Sequence, residues 1–229
     1  MTAAIRQTGD AVDGEGKSAG GGSRVTPCAG RNHHLDQTRI DAIAFDLDMT
    51  LVDSRPVSQR ALERLVSEYG AHLNIEMLMS AYGIPLSRWL PANIDGVLFR
   101  TLQAQDIALA VPLPGAHVAV AAVSEAYART VVVTSAPIAI ATGMLRSTGL
   151  CVDTVRASVW AEDKGKPIRE EKCWAFVGDH ADDMLAAQQA GVIAVGVNTG
   201  TSRPLGAHVE LDDLTAFPTW LATGSRATS

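Results

Sequence analysis

Two aspartates, Asp46 and Asp48, stand two residues apart directly after a short, mostly apolar run, and Thr50 follows them. On an extended chain, side chains two residues apart point in the same direction, roughly 6.6 Å from each other. A phosphoryl group could fit between two carboxylates at that spacing, with one attacking phosphorus and the other handling protons. The alternative interpretation is a strand end with solvated acids and a turn. The rest of the chain must decide between the two.

Two further groups of polar residues follow apolar runs. Thr134 and Ser135 come after a β-branched run, and Asp179 and Asp183 come after another apolar segment. Three or four carboxylates in one place would repel each other without a cation, and all-oxygen ligands favour a hard ion such as Mg²⁺. Thr134 and Ser135 offer a hydroxyl and backbone N–H groups to an anion. The set therefore predicts a site for Mg²⁺ and a phosphoryl group.

The elements that would position these residues alternate between strands and helices. A first strand is predicted at about 40–45, and the segment from Pro56 to Pro112 shows helical spacing without strand alternation. Further strands, alternating with helices, are predicted at 130–133, 152–157, 174–177, 192–197 and 208–211. This order predicts an α/β fold with a doubly wound parallel sheet, Rossmann-like, and helices on both faces. Ligands of such sheets bind beyond the carboxyl ends of the strands, where all of the acidic residues above are expected.

The same pattern predicts the domain organisation. Residues 38–54 and 113–223 form the core domain, and residues 55–112 form an inserted helical cap, or lid. Residues 1–37, which are rich in Gly, Ser, Thr and Ala, are predicted to be a disordered tail, and residues 224–229 a second tail.

The charge, hydrophobicity and cysteine content of the chain limit the partners and the cellular compartment that we expect for it. The 229 residues carry a net charge of −6, which argues against nucleic-acid binding, because that needs clustered Lys and Arg. No apolar run approaches the length of a membrane span, and no signal core is visible near the N-terminus. Three cysteines without paired or metal-ligand spacing suit a reducing compartment, so we expect a cytoplasmic protein. No protein partner can be read from the sequence.

Three of these segments resemble motifs of the haloacid dehalogenase (HAD) superfamily of hydrolases. Asp46-Leu47-Asp48-Met49-Thr50-Leu51-Val52 is similar to its first motif, Val132-Val133-Thr134-Ser135 to its second, and Val177-Gly178-Asp179-His180-Ala181-Asp182-Asp183 to its fourth. The resemblance spans about residues 39–221. Within the superfamily the chain is most similar to the phosphoglycolate-phosphatase-like members, which carry a small helical cap.

The resemblance implies a role for each matched residue. Asp46 would be the nucleophile that becomes an aspartyl-phosphate, and Asp48 would act as general acid and then as general base. Mg²⁺ would be held by the Asp46 carboxylate, the Asp48 backbone carbonyl, Asp179 and Asp183. Thr134 and a motif lysine would hold the phosphoryl oxygens.

The chain departs from the family pattern at two places. Met49 stands where the family usually has Gly, although its backbone N–H could still serve the phosphate. The motif lysine is either Lys164 or Lys166, with the comparison slightly favouring Lys164. Both lysines lie close to Asp179 in the sequence, so the helix between the motif lysine and Asp179 must be very short.

Several activities occur in this superfamily, so the fold does not decide the chemistry. A dehalogenase has no use for Asp48 as a proton donor, and a phosphonoacetaldehyde hydrolase needs a cap lysine, which the segment from Pro56 to Pro112 lacks. We expect a Mg²⁺-dependent phosphatase acting on a small phosphorylated metabolite. A phosphomutase remains open, and so does a non-catalytic scaffold that binds phosphorylated ligands.

Overall fold

The structure, a computed structural model, describes residues 40–83, 86–200, 203–204 and 206–224. The tails predicted at 1–37 and 224–229 lie outside these residues, apart from Gly224. None of the helices in the described part of the chain is long and apolar enough to cross a membrane.

Strands and helices alternate through the described residues. The strands are β1 (Ala42–Phe45), β2 (Val52–Asp53), β3 (Val111–Pro112), β4 (Arg129–Val133), β5 (Thr154–Arg156), β6 (Cys173–Gly178), β7 (Ile193–Val197) and β8 (Val209–Leu211). The helices are α1 (Arg55–Tyr69), α2 (Ile75–Ser80), α3 (Leu86–Trp89), α4 (Gly96–Gln105), α5 (Ala116–Glu125), α6 (Ile138–Ser147), α7 (Gly165–Glu170), α8 (Ala181–Ala190) and α9 (Phe217–Gly224). Short 3₁₀ turns lie at Ile107–Leu109, Ala161–Lys164 and Leu214–Ala216.

Six of the strands form one parallel sheet in the order β5-β4-β1-β6-β7-β8. The chain moves from β1 outward to β4 and β5, and then returns to the other side of β1 and continues outward through β6, β7 and β8. The direction of winding therefore reverses at β1. In open α/β sheets a ligand crevice forms at such a reversal, beyond the carboxyl ends of the strands.

The strands are buried on both faces because successive side chains point to opposite sides of the sheet. Ile43 and Phe45 of β1 belong to one apolar cluster, which includes residues of α5, α6 and α9. Ala42 and Ala44 belong to a second cluster, which includes residues of α7 and α8. The predicted doubly wound parallel sheet is thus confirmed.

Helices α1 to α4 form an insertion between β2 and β3 with an apolar core of its own. Phe99 and Leu62 are fully buried in this core, where Trp89 packs edge-on against Tyr82 and Phe99. The two ends of the insertion are joined by the antiparallel pairing of β2 with β3. Strand β3 lies in the segment from Pro56 to Pro112, for which we predicted no strand alternation, and its two residues are too few to produce a visible pattern.

Candidate active site

Asp46 and Asp179 lie side by side because they follow neighbouring parallel strands. The Asp46 N–H donates to the Val177 carbonyl at 2.8 Å, which continues the pairing of β1 with β6 past the end of β1. The Asp179 carboxylate accepts a hydrogen bond from the Thr50 hydroxyl at 3.2 Å. Both aspartates are 6% exposed, so they sit in the floor of the crevice rather than on the surface.

Asp183 reaches the same place from the first turn of α8. His180 caps this helix: its ring Nδ1 accepts the Asp182 N–H, and its own N–H donates to Asp183 Oδ2 at 3.2 Å. The path of the chain depends on Gly178, because a Cβ there would lie 2.5 Å from the Asp183 side chain. Asp183 is 2% exposed.

Lys164 lies between these acids, at the end of the 3₁₀ turn that precedes α7. Its Nζ is 2.8 Å from Asp46 Oδ1 and 2.7 Å from Asp183 Oδ1. The ammonium group also stands 5.7 Å from the centre of the Phe176 ring. Burial alone would lower the pKa of Lys164, but the charges and hydrogen bonds of Asp183 and Asp46 outweigh it and raise that pKa, so the side chain stays positively charged.

Lys166, the other candidate for the motif lysine, does not join the site. Its side chain is 64% exposed, and its ion-pair partner is Glu170, at 4.0 Å on the same short helix. Lys164 ends the 3₁₀ turn, whereas Lys166 lies two residues later in helix α7, so the two side chains point to different sides of the chain. Of the two lysines that the sequence left open, the structure places Lys164 among the acids and Lys166 outside the crevice.

The three buried carboxylates form a group that could hold a cation. Asp46, Asp179 and Asp183 each offer an oxygen, and these atoms all lie within 4.8 Å of one another. Burial raises the pKa of Asp179 to about 7, with the charge of Asp183 adding to the effect. Burial also raises the pKa of Asp46 well above its usual range, although Lys164 opposes this. One lysine thus leaves the group short of positive charge, and an all-oxygen donor set of this kind fits a hard divalent ion.

Asp48 is held apart from this group by neutral partners. Its Oδ1 accepts a hydrogen bond from the Ser54 hydroxyl at 2.5 Å, and its Oδ2 lies 3.4 Å from the Thr134 hydroxyl. The Ser54 hydroxyl is itself 2.8 Å from the Tyr82 hydroxyl. Since Ser54 gives its single proton to Asp48, Tyr82 is the donor in that second contact.

The second-motif residues divide between the interior and the crevice. Thr134 is fully buried, and its hydroxyl accepts the Ala136 N–H at 3.1 Å in addition to contacting Asp48. Ser135 is partly exposed and lines the crevice. Ser135 is thus the more accessible of the two to a bound anion.

Met49 has a role that its position in the motif did not predict. Its φ of 61° is left-handed, and its N–H donates to the Val52 carbonyl at 2.8 Å instead of facing an anion. Its carbonyl accepts from the Thr199 hydroxyl at 2.5 Å. The side chain is 1% exposed and packs into the apolar core of the insertion. Met49 therefore links the loop after β1 directly to helices α1 to α4.

The acids open into a cleft of about 130 Å³ between the sheet and the insertion. The sheet side is formed by the residues described above together with Trp160, Ala161 and His180. The insertion contributes Ser58, Tyr82, Gly83, Leu86, Trp89, Phe99, Arg100 and Gln103. Sequence reasoning missed Ser58, Tyr82 and Gln103, which carry no local motif, whereas Ser54 could have been noticed as a hydroxyl that follows the acidic loop.

The comparisons with known proteins agree with this geometry. Residues 40–191 match the model of the haloacid dehalogenase-like hydrolases. The chain belongs to this family. No curated protein sequence matches the chain significantly.

Solved structures of other family members share the fold at low sequence identity. CbbY from Rhodobacter sphaeroides, in complex with phosphate, is 18% identical with a TM-score of 0.65, and the match covers 77% of this chain and 95% of CbbY. A predicted phosphoglycolate phosphatase from Haemophilus somnus is 17% identical with a TM-score of 0.65, covering 81% and 100%. A proposed β-phosphoglucomutase from Thermotoga maritima is 20% identical with a TM-score of 0.63, covering 80% and 99%.

Proposed function

We propose that this hydrolase is a Mg²⁺-dependent phosphatase that cleaves a small phosphorylated metabolite through an aspartyl-phosphate on Asp46. The observation that carries the proposal is the different surroundings of Asp46 and Asp48. Asp46 lies in the buried group with Lys164, whereas Asp48 is held by hydroxyls outside that group. Carboxylates in unlike surroundings can take unlike roles, one as nucleophile and one as acid and base.

The carboxylates of Asp46, Asp179 and Asp183 would hold the metal, together with the backbone carbonyl of Asp48. Their grouping within 4.8 Å and the raised pKa of Asp179 support this assignment. When bound, Mg²⁺ neutralises these acids and offsets negative charge on the phosphoryl oxygens.

The chain's own residues account for both halves of the reaction. An Asp46 oxygen forms a bond to phosphorus as the ester P–O bond breaks, and Asp48 gives its proton to the departing oxygen. Asp48 then removes a proton from a water molecule whose oxygen attacks phosphorus, and the bond to Asp46 breaks to release phosphate. Lys164 and Ser135 would hold the phosphoryl oxygens, and the hydroxyls of Ser54 and Thr134 would orient Asp48.

The insertion supports a small substrate. We infer that residues 55–112 act as a cap that closes over the core formed by 38–54 and 113–223, because the cleft lies between the two. A volume of about 130 Å³ is below the range of about 300–1,000 Å³ that is usual for drug-sized ligands. The structural neighbours, which include a phosphate complex and a predicted phosphoglycolate phosphatase, favour a metabolite of this kind. We also propose a cytoplasmic location, because three cysteines without paired spacing suit a reducing compartment.

The test is hydrolysis of p-nitrophenyl phosphate by the metal-free protein with and without added Mg²⁺, with the Asp46→Asn variant as the comparison. The proposal predicts metal-dependent release by the wild type and none above buffer by the variant. Equal inertness of the two proteins with Mg²⁺ present would favour the non-catalytic scaffold. Interconversion of sugar phosphates with little release of phosphate would favour a mutase.

A further inference from the structure

The Arg100 guanidinium lines the cleft from the insertion without a charged partner among the described residues. One nitrogen, Nη1, donates to the amide oxygen of Gln103 at 2.9 Å, and no carboxylate in the described part of the chain forms an ion pair with it. A guanidinium carries five N–H donors in a rigid fork, so most of its donors remain available. Arg100 is nevertheless half-buried, an arrangement that is costly for a charge unless an anion compensates it.

Two arginines of α1, in the same insertion, show what a guanidinium with charged partners looks like. Arg64 forms ion pairs with Glu68 and Asp106, and Arg60 lies 3.5 Å from Glu63. Arg100 has no such ion pair among the described residues, and Asp48 and Tyr82 act on it across the cleft. Burial lowers the pKa of Arg100, while Asp48 and Tyr82 oppose the shift, which agrees with a guanidinium that lacks an ion-pair partner among the described residues.

Arg100 is also held in place by a chain of neutral hydrogen bonds. Gln103 Nε2 donates to the Ser58 hydroxyl at 2.9 Å, and Ser58 donates to the Tyr82 hydroxyl at 3.1 Å. Gln103 is 3% exposed and Ser58 is fully buried. The amide oxygen that receives Arg100 is thus fixed from behind, and the guanidinium is presented to the cleft in a preorganised position.

We propose that Arg100 binds a second anionic group of the substrate, so that the metabolite is a short phosphate monoester that also carries a carboxylate or a second phosphoryl group. The planar fork suits either group, because both present paired oxygens. The small cleft places that second group only a few atoms from the phosphoryl group at Asp46. This inference rests on the proposed phosphatase function and assigns its substrate class.

The experiment compares matched pairs of substrates that differ only in the second group. Phosphoglycolate is paired with 2-hydroxyethyl phosphate to test a carboxylate, and propane-1,3-diol bisphosphate is paired with 3-hydroxypropyl phosphate to test a phosphoryl group. For each pair, kcat/KM is measured in the wild type, Arg100→Met, Arg100→Lys and the control Arg60→Met. Arg60 is an exposed arginine of the insertion that does not line the cleft. Thermal melting establishes that each variant is folded.

The wild type is expected to prefer the anionic member of at least one pair by roughly 10- to 100-fold, the usual value of hydrogen bonds to a charged group. Arg100→Met should bring that ratio close to one, Arg100→Lys should keep part of it, and Arg60→Met should leave it unchanged. The pair that shows the preference identifies the anion. A wild type without preference, or an Arg100→Met variant that loses activity equally on both members, would overturn the inference.

A binding measurement separates this inference from the phosphatase proposal. Phosphoglycolate and the bisphosphate are titrated calorimetrically into Asp46→Asn and into Asp46→Asn/Arg100→Met. Weaker binding to the double variant supports the anion site even if the wild type hydrolyses none of the esters, in which case only the proposed function fails. Equal affinity of the two variants for both ligands contradicts the anion site even if hydrolysis is observed.

Discussion

Replacing Lys164 by Met removes the lysine that lies among the buried acids. The ammonium contacts Asp46 and Asp183 at 2.8 Å and 2.7 Å, and all three side chains are at most 8% exposed. Removing one partner of a buried ion pair costs about 3–5 kcal/mol, because the remaining charge is left uncompensated. We expect a loss of that order in the free energy of unfolding of the metal-free protein at pH 8.

The loss should shrink at low pH. An acid whose pKa is raised in the folded state binds more protons folded than unfolded, so stability falls as pH rises between the unfolded and folded pKa values. Burial already raises the pKa of Asp46, and Lys164 is the group that opposes the increase. Without Lys164 the Asp46 pKa rises further, so the variant loses more stability than the wild type as the pH increases.

The assay is urea unfolding with a chelator present, at pH 5 and pH 8. Lys166→Met is the matched control, because it makes the same change two residues away on an exposed side chain. It should change the urea midpoint little, since exposed ion pairs contribute little to stability. If Lys164→Met lost no more stability than Lys166→Met at pH 8, or lost more at pH 5 than at pH 8, the reasoning would be refuted.

Three further predictions concern the same region. Burial, together with the charge of Asp183, raises the pKa of Asp179 from 3.8 to about 7, so the metal-free protein should lose stability as pH rises through that range. Mg²⁺ should therefore raise the melting temperature more at pH 8 than at pH 5, and equal increases at the two pH values would contradict this. Met49→Gly relieves a left-handed φ but leaves a cavity at a buried position. We expect the free energy of unfolding, measured with urea, to fall by about 1–3 kcal/mol, and a stabilised variant would be inconsistent with the packing. Gly200→Ala places a Cβ 2.0 Å from an Asp179 oxygen, so the Mg²⁺ affinity measured by calorimetry should fall by roughly tenfold or more. The control Gly96→Ala places its Cβ where there is no neighbouring atom within 4 Å, and it should bind Mg²⁺ like the wild type.

The fold and the acidic part of the site could be predicted because their signals are local. Apolar runs followed by acids mark strand ends, and parallel strands bring those ends to one edge, so the sequence alone could place Asp46 near Asp179. The periodicity of the segment after Pro56 likewise indicated helices. These inferences depend on neighbouring residues and on general rules of sheet topology.

The remaining features depend on tertiary packing that no local pattern reports. Lys164 and Lys166 differ only in which side of a short turn they occupy, and the turn's orientation is set by its packing against α8. Tyr82 and Arg100 face the cleft because of how the insertion's helices pack, which periodicity alone does not determine. The Met49 N–H could not be assigned from the motif, since its partner, Val52, follows from the local fold of the loop.

The central claim, that Asp46 becomes phosphorylated, is tested most directly by trapping the intermediate. Asp48→Asn should still transfer the phosphoryl group of p-nitrophenyl phosphate, whose leaving group needs little protonation, but should lack the base that activates water. Acid-quenched Asp48→Asn, incubated with this substrate and Mg²⁺, is examined by mass spectrometry of its peptides. We predict one added phosphoryl group on the peptide that contains Asp46, and none in the Asp46→Asn/Asp48→Asn variant. If the wild type released phosphate steadily but neither the wild type nor Asp48→Asn carried a phosphoryl group on Asp46, the account would be contradicted.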